Sequence, residues 1–248
     1  MEINTGVENS GIQSVKQFLL SVPVPEQTST YKPVAHGTLM ELTLNAIESC
    51  GFQLEKEIYT QSRGGLKANG KYLIKYGNDP DMSIMIAWQN SYDKSLSLKF
   101  AIGTWVFICE NGACSGSMGA FRSKHIGDVQ EITPATIKEF VCGSGEVFYK
   151  MVDTKERMKE IAVTSREAAE LLGRLYVEKE IINSTQLNTI KREIDTPTYN
   201  YGPKDTVWTL YNYCTFALKD CNPQHWLESQ RNLHQFFVDE FNIEESID

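Results

Sequence analysis

The feature that most limits what this chain can fold into is a change of hydrophobic period along it. Between Phe52 and about Ser117, short apolar runs are separated by turn-forming residues, and in Leu96-Ser97-Leu98-Lys99-Phe100-Ala101-Ile102 the alternation is clean. After Thr133-Pro134, where proline suits the first position of a helix, the spacing becomes 3.6 for most of the remaining chain. Strands thus cluster in one stretch and helices in another, without the interleaving of a repeating βαβ pattern. The predicted class is α+β: an antiparallel β-meander preceded by one helix and followed by a C-terminal set of helices.

Residues 1–30 read as an N-terminal arm and linker, polar except from Val15 to Val24 and leading into a connector stiffened by Pro23, Pro25 and Pro33. Residues 31–248 read as one α+β domain, with the meander over about 52–117 and the helical part over about 133–240. Thr38-Leu39-Met40-Glu41 has the form of a capping box, which predicts a helix over about 38–50 stopped by Gly51. Within the meander, Asn69-Gly70 predicts a type I′ hairpin turn. Asn78-Asp79-Pro80-Asp81 and Asn90-Ser91-Tyr92-Asp93 predict the next two turns. The strands between them run over Lys71 to Tyr76, Met82 to Trp88 and Leu96 to Ile108, so Lys71 and Lys75 share a face and Lys99 points away from Leu98 and Phe100. One sheet face is expected to be cationic and the other core. Further on, Thr164-Ser165-Arg166-Glu167 is a second capping box, Ser184 opens another helix, and two aromatic helices follow over about 206–219 and 223–240.

Composition narrows the setting. The 248 residues are 41% hydrophobic and 23% charged, which suits a globular protein and disfavours collagen-like, coiled-coil or disordered readings. No apolar run approaches the roughly 20 residues of a membrane helix, and the start has no basic segment leading into an unbroken apolar one. No membrane partner is expected, and the expected location is cytoplasmic. Six cysteines (50, 109, 114, 142, 214 and 221) in a chain of this length and without a leader predict reduced thiols.

The net charge of −8 argues against coating nucleic acid with the whole surface. It is unevenly spread. From Gln61 to His125 there are eight basic residues, Arg63, Lys67, Lys71, Lys75, Lys94, Lys99, Arg122 and Lys124, against four acidic ones. Such an excess fits a face offered to a polyanion, and it fits equally the use of lysine to protect sheet edges.

Candidate chemistry is sparse. Cys109, Cys114 and His125 have part of a zinc spacing, but no second CxxC or HxxxH completes it, and Cys109 also fits the buried end of a strand. The glycines from Asn111 to Gly119 lack the GK[ST] ending of a nucleotide loop. Arg63-Gly64-Gly65 has the composition of a phosphate cradle and of an ordinary hairpin loop. Cys109, His125 and Asp93 supply the residue types of a nucleophilic site, but no nucleophile elbow accompanies them. Asp79 and Asp81 suit a divalent ion or, around Pro80, a turn. Trp208, Tyr211, Tyr213 and Phe216 have the spacing of a core helix rather than a base-stacking platform. No cofactor is expected.

Four motifs in order resemble a known family. These are Asn90-Ser91-Tyr92-Asp93-Lys94-Ser95 before a strand, then Cys109-Glu110-Asn111-Gly112, then Arg122-Ser123-Lys124-His125, and finally Trp208 to Thr215 with Asn212 at its centre. They resemble the phage/plasmid-like proteins grouped as domain of unknown function 932, over about Tyr31 to Lys219, with Glu110 larger and more charged than that pattern leads one to expect. The resemblance implies a phage or plasmid setting in a bacterial host cell and marks Asn90, Ser91, Asp93, Asn111, His125 and Asn212 as family-motif polar residues, with no catalytic role attached. The order of helix, meander and helices is also similar to the core of single-strand annealing proteins, an analogy of topology only. The expected function is noncatalytic binding of single-stranded DNA or RNA by the eight basic residues above, in replication or recombination of a mobile element. The alternatives are a module that inhibits a host enzyme or defence complex, and a hydrolase or nuclease built around Asp93, Cys109, Asn111 and His125. Oligomerisation is compatible with all three.

Overall fold

The computed structural model describes residues 6–29, 31–106, 111–114, 120–123, 133–221 and 225–243. It is α+β as predicted, with helices ahead of an antiparallel meander and a helical C-terminal part. Close contacts divide the chain into two compact units. A sheet unit takes in Met1–Tyr76, Met85–Ile102 and Gly119–Ser144, and a helical unit takes in Gly77–Ile84, Gly103–Met118 and Gly145–Asp248. The strand order is β1-β2-β3-β4-β5, with β6 also paired to β4.

In the sheet unit, part of the segment read as an arm is helical: α1 (Gly6–Ser21) lies against the first strand, with Leu19 buried and Lys16 Nζ 2.6 Å from Glu57. The second helix, α2 (His36–Ser49), starts two residues before Thr38, so the predicted capping box does not form; its N-cap is Ala35, with no side-chain cap. The meander replaces it. The His36 N–H donates to the Tyr92 hydroxyl at 2.9 Å, and Asn90 Nδ2 donates to Val34 O at 2.8 Å, so tertiary groups satisfy this helix entry. Gly51, at φ 72°, does end the helix as expected.

Strand β1 (Gln53–Ser62) pairs antiparallel with β2 (Lys67–Lys75), from Gln53 opposite Lys75 to Ser62 opposite Lys67, with a bulge between Leu54 and Lys56. Asn69 and Gly70 are therefore inside β2, opposite Thr60 and Tyr59, and form no turn. The reversal falls at Arg63, Gly64 and Gly65, whose φ values are 53°, 65° and 83°. Gly70 has another purpose: a Cβ there would lie 2.5 Å from the Trp88 ring, so the indole can cross β2 only where no side chain stands.

Strand β3 (Met82–Ser91) is buried along its whole length and extends past the predicted Trp88 limit. In β4 (Leu98–Val106), Leu98, Phe100 and Ile102 are buried as the alternation predicts, but so is Ala101 between them. The leading half of β4 pairs with β6 (Ala120–Ser123), setting Leu98 opposite Ser123 and Lys99 opposite Arg122. Helix α3 (Pro134–Cys142) begins at Thr133-Pro134 as predicted, with the Thr133 hydroxyl accepting from Thr136 N–H. It buries Ile137 and Val141 and sets Phe140 against Phe100. Cys50 and Cys142, 92 residues apart, form a disulfide with Cα atoms 5.5 Å apart, which corrects the expectation of reduced thiols at these two positions. Spacing along the chain gave no hint of the pair, because tertiary folding alone brings the ends of α2 and α3 together.

In the helical unit, the trailing half of β4 pairs with β5 (Asn111–Cys114). Among the described residues five α-helices follow: α4 (Ser144–Glu160), α5 (Ser165–Gly173), α6 (Ser184–Asp195), α7 (Val207–Ala217) and α8 (Trp226–Glu240), with a π-helical turn at Arg174–Glu178 and a 3-10 turn at Leu218–Asp220. The Thr164–Glu167 capping box is present, and Asn183 with Gln186 forms another ahead of α6. Of the aromatic set expected in the core, Trp208, Tyr211 and Tyr213 are buried in α7, while Phe216 is half-buried. Antiparallel bonds from Val163 N to Asp205 O and from Val207 N to Ile161 O fix the start of α7 beside the α4–α5 connection.

Candidate functional site

Alternation assigns each residue of the sheet unit to a face, and three contacts calibrate it. The Trp88 ring lies over Gly70 and its Nε1–H donates to the Tyr72 hydroxyl at 3.0 Å, while Tyr72 also bonds Thr43 of α2. Phe100 meets Phe140 of α3. Asn69 Nδ2 donates to Thr60 Oγ1 across β1 and β2. Tyr59, Gly70, Tyr72, Trp88 and Phe100 therefore face the helices. By period two, Lys56, Thr60, Lys67, Asn69, Lys71, Lys75, Gln89 and Lys99 face the other way, with Arg122 sharing the position of Lys99 by register.

The two faces differ in charge. Glu57, the acidic residue of β1 beyond the bulge, is on the helix face, where it takes Lys16 and the Tyr59 hydroxyl. Burial, the neighbouring Tyr72 and Glu57 hold the Tyr59 hydroxyl protonated far above its ordinary range. On the opposite face five lysines stand on β1, β2 and β4, and Glu55 sits in the β1 bulge beside the first of them. Lys75 is exposed, Lys56, Lys71 and Lys99 are half-buried, and Lys67 is buried. Leu73, Met85, Ala87 and Ala101 are buried on this same face.

At the β1–β2 turn the charges meet a carboxylate. Lys67 Nζ and Arg63 Nη1 each lie 3.6 Å from Asp93 Oδ2, two cations sharing one anion. Burial by itself would raise the Asp93 carboxyl, but hydrogen bonds from Ser95 and the charges of Lys67 and Arg63 overcome it and hold the group below its ordinary value. Arg63 is two-thirds exposed, with its side chain at 66%. Lys94, at φ 61° in the next turn, is exposed and places its Nζ 4.6 Å from the centre of the Tyr31 ring.

The Asn90 to Ser95 motif has a structural explanation at most of its positions. Asp93 Oδ1 accepts from Ser95 N–H, Ser91 Oγ accepts from Leu96 N–H, and Asn90 lies 3.1 Å from His36 Nδ1. His36 is fully buried, stacked on Tyr92 with centroids 4.0 Å apart, and its Nε2 is 3.0 Å from Gly65 O. Burial pushes its pKa down to about 4 against the opposing pull of the Gly65 carbonyl, so it is neutral at pH 7. The pair ties α2 to the hairpin tip. Asn212 in α7 donates to Trp208 O, within its own helix.

Of the other candidates, Asp79 is a turn former: its Oδ1 accepts from the backbone N–H of Asp81 and Met82. Its second oxygen and Asp81 bind Lys155. Asn111 and Arg122 are placed by backbone register only, and Cys109, Glu110, Lys124 and His125 lie outside the described residues. No group of three or more His, Cys, Asp or Glu among the described residues could hold a metal ion. A cavity of about 270 Å³ lies between α5, the end of α6 and α7 in the helical unit, and the Thr206 and Thr209 hydroxyls at its wall already donate to Pro203 O. Lys56 was missed by the reading of the sequence, because it precedes the basic stretch and the bulge beside it hides the alternation.

The geometry defines a mixed α+β protein whose meander carries aromatic groups toward its helices and cations away from them. The family model described as Domain of unknown function (DUF932) matches residues 26–231, and the chain belongs to that family. No solved structure matches it. No helix among the described residues is long and apolar enough to cross a membrane.

Proposed function

We propose that this protein binds single-stranded nucleic acid without transforming it, through phosphate contacts made by Lys56, Lys71, Lys75 and Lys99 on the strand face turned from α2, with Arg63 and Lys94 at the adjoining turns. The observation that carries the reading is the register that gathers these lysines on one face while Glu57 falls on the other. Contacts to phosphates from strand lysines read no base edge, which favours a flexible single strand over a sequence-specific duplex site. Because Tyr59, Tyr72 and Trp88 point to the helices, the described residues beside these lysines offer bases no aromatic platform, and binding is electrostatic and insensitive to sequence. Lys67 contributes differently, as the buried partner of Asp93. We extend the proposal to replication or recombination of a phage or plasmid in a bacterial cytoplasm, the setting that the motif resemblance implies.

The test is fluorescence anisotropy of a labelled oligonucleotide over a salt series. The logarithm of the affinity should fall linearly with that of salt, by roughly 0.7 per phosphate neutralised. Lys75→Glu with Lys94→Glu should weaken binding of every sequence alike. No complex at low salt would remove the proposal. The competing reading, a module that captures a host protein, draws on the exposed Phe18, Leu20, Val24 and Leu66 near the end of α1 and the hairpin tip. It predicts that the charge reversals leave partner binding unchanged while Phe18→Ser with Leu66→Ser abolishes it.

A further inference from the structure

The Cys50–Cys142 bond joins the residue that caps α2 to the last residue of α3. The two helices are held very unequally by the rest of the unit. Six residues of α2 are buried, and Thr43, His36 and the Tyr92 hydroxyl tie it further. Helix α3 has nine residues and buries only Ile137 and Val141, with Phe140 set edge-on against Phe100. A helix that short does not persist in water unless tertiary contacts hold it. The bond is also within reach of solvent: Cys142 is exposed and Cys50 half-buried. Each cysteine is followed by a glycine, Gly51 and Gly143, so the backbone beside either sulfur can turn without a Cβ in the way. The free thiols described elsewhere are Cys214, buried in α7, and the half-buried Cys221, both in the helical unit.

We propose that Cys50 and Cys142 form a redox modification site, reduced by a dithiol protein or a small dithiol, and that reduction releases α3 from α2 while the sheet stays folded. One thiolate of the reductant attacks the accessible Cys142 sulfur and forms a mixed disulfide, with Cys50 leaving as thiolate. The second thiol of the reductant then displaces Cys142. Two electrons and two protons pass to the protein, which ends with two thiols, and the reductant ends as its own disulfide. The inference does not depend on what the strand face binds.

The experiment is a dithiothreitol redox titration of the intact chain, read by mass and by hydrogen exchange. Both thiols should appear together at a ratio that leaves the far-ultraviolet spectrum folded. Amides from Ile137 to Cys142 should then exchange roughly tenfold faster or more, those of β2 and β3 should not change, and reoxidation should restore protection. Cys50→Ser with Cys142→Ser should show the fast exchange of the reduced form under oxidising conditions. The proposal is overturned if the purified, air-oxidised chain lacks this bond or if the bond opens only when the whole protein unfolds. Unchanged α3 exchange with the bond open would overturn it equally. Because the titration uses the natural chain, it decides the matter even if the double variant does not fold.

Discussion

Two clusters of buried basic groups, one in each unit, handle the same physical problem in opposite ways. In the helical unit, the Lys155 side chain is 1% exposed and meets Asp79 at 2.6 Å, Glu156 at 3.0 Å and Asp81 at 3.2 Å, with Lys159 closing the network on Asp81 and Glu156. In the sheet unit, Lys67 has a 6% exposed side chain and shares the single Asp93 carboxylate with Arg63, while His36 remains neutral. The first cluster holds three carboxylates for two cations and is electrostatically closed. The second leaves positive charge over, on the side where the strand lysines stand. A buried cation surrounded by acids serves the fold, whereas one that shares its counter-charge leaves a field that an incoming anion can answer.

The sharpest way to break this contrast is Lys155→Met. If the α4 network is structural, removing its cation leaves Asp79 nearly buried beside Asp81, and urea denaturation should show a loss of about 3–5 kcal/mol. A loss near zero would mean that the carboxylates reach water and that the network is no more than a surface array.

Next in size is the pH response. His36 is lowered from 6.5 to about 4 in the folded chain, so the unfolded chain binds the extra proton between those values. Stability should fall as pH drops from about 6.5 to about 4, by roughly 3 kcal/mol in all, and this component should level off below that. Asp81, Glu156 and Asp93 are held low, so their contribution is present above their unfolded values and disappears only as pH falls through the folded ones. His36→Gln should therefore flatten the upper part of the profile and leave the acid limb. Persistence of the upper decline in that variant would place its origin elsewhere.

Smaller effects sharpen the account of the hairpin tip. Asp93→Asn keeps an acceptor for Ser95 but removes the shared charge, and should cost about 1–3 kcal/mol while tightening oligonucleotide binding. Weaker binding in that variant would mean that Asp93 holds the lysines in place rather than restraining their field. Arg63→Ala should change stability by less than about 0.5 kcal/mol, because its ion pair is largely exposed. Its effect should appear only as a shallower salt dependence.

What could be read from the sequence depended on how local the cause was. The Thr164–Glu167 cap and the proline start of α3 were legible because the residues that decide them are within one turn. Thr38 and Asn69-Gly70 misled for the opposite reason: Tyr92 replaces the cap, and Trp88 explains the glycine. Of the candidate face, Lys71 and Lys75 follow from alternation within one strand. The opposition of Lys99 and Arg122 does not, since β6 pairs with β4 only after β5 has intervened along the chain and no local pattern states that partner. The Cys50–Cys142 bond was hidden in the same way, by distance along the chain.

The seat of Trp88 on Gly70 binds the history of two positions together. A methyl group at 70 has no room while the indole lies there, and a smaller ring at 88 leaves a void that glycine cannot fill. Either change alone is a step down, so a descendant of this chain that alters one site should be found to have altered the other.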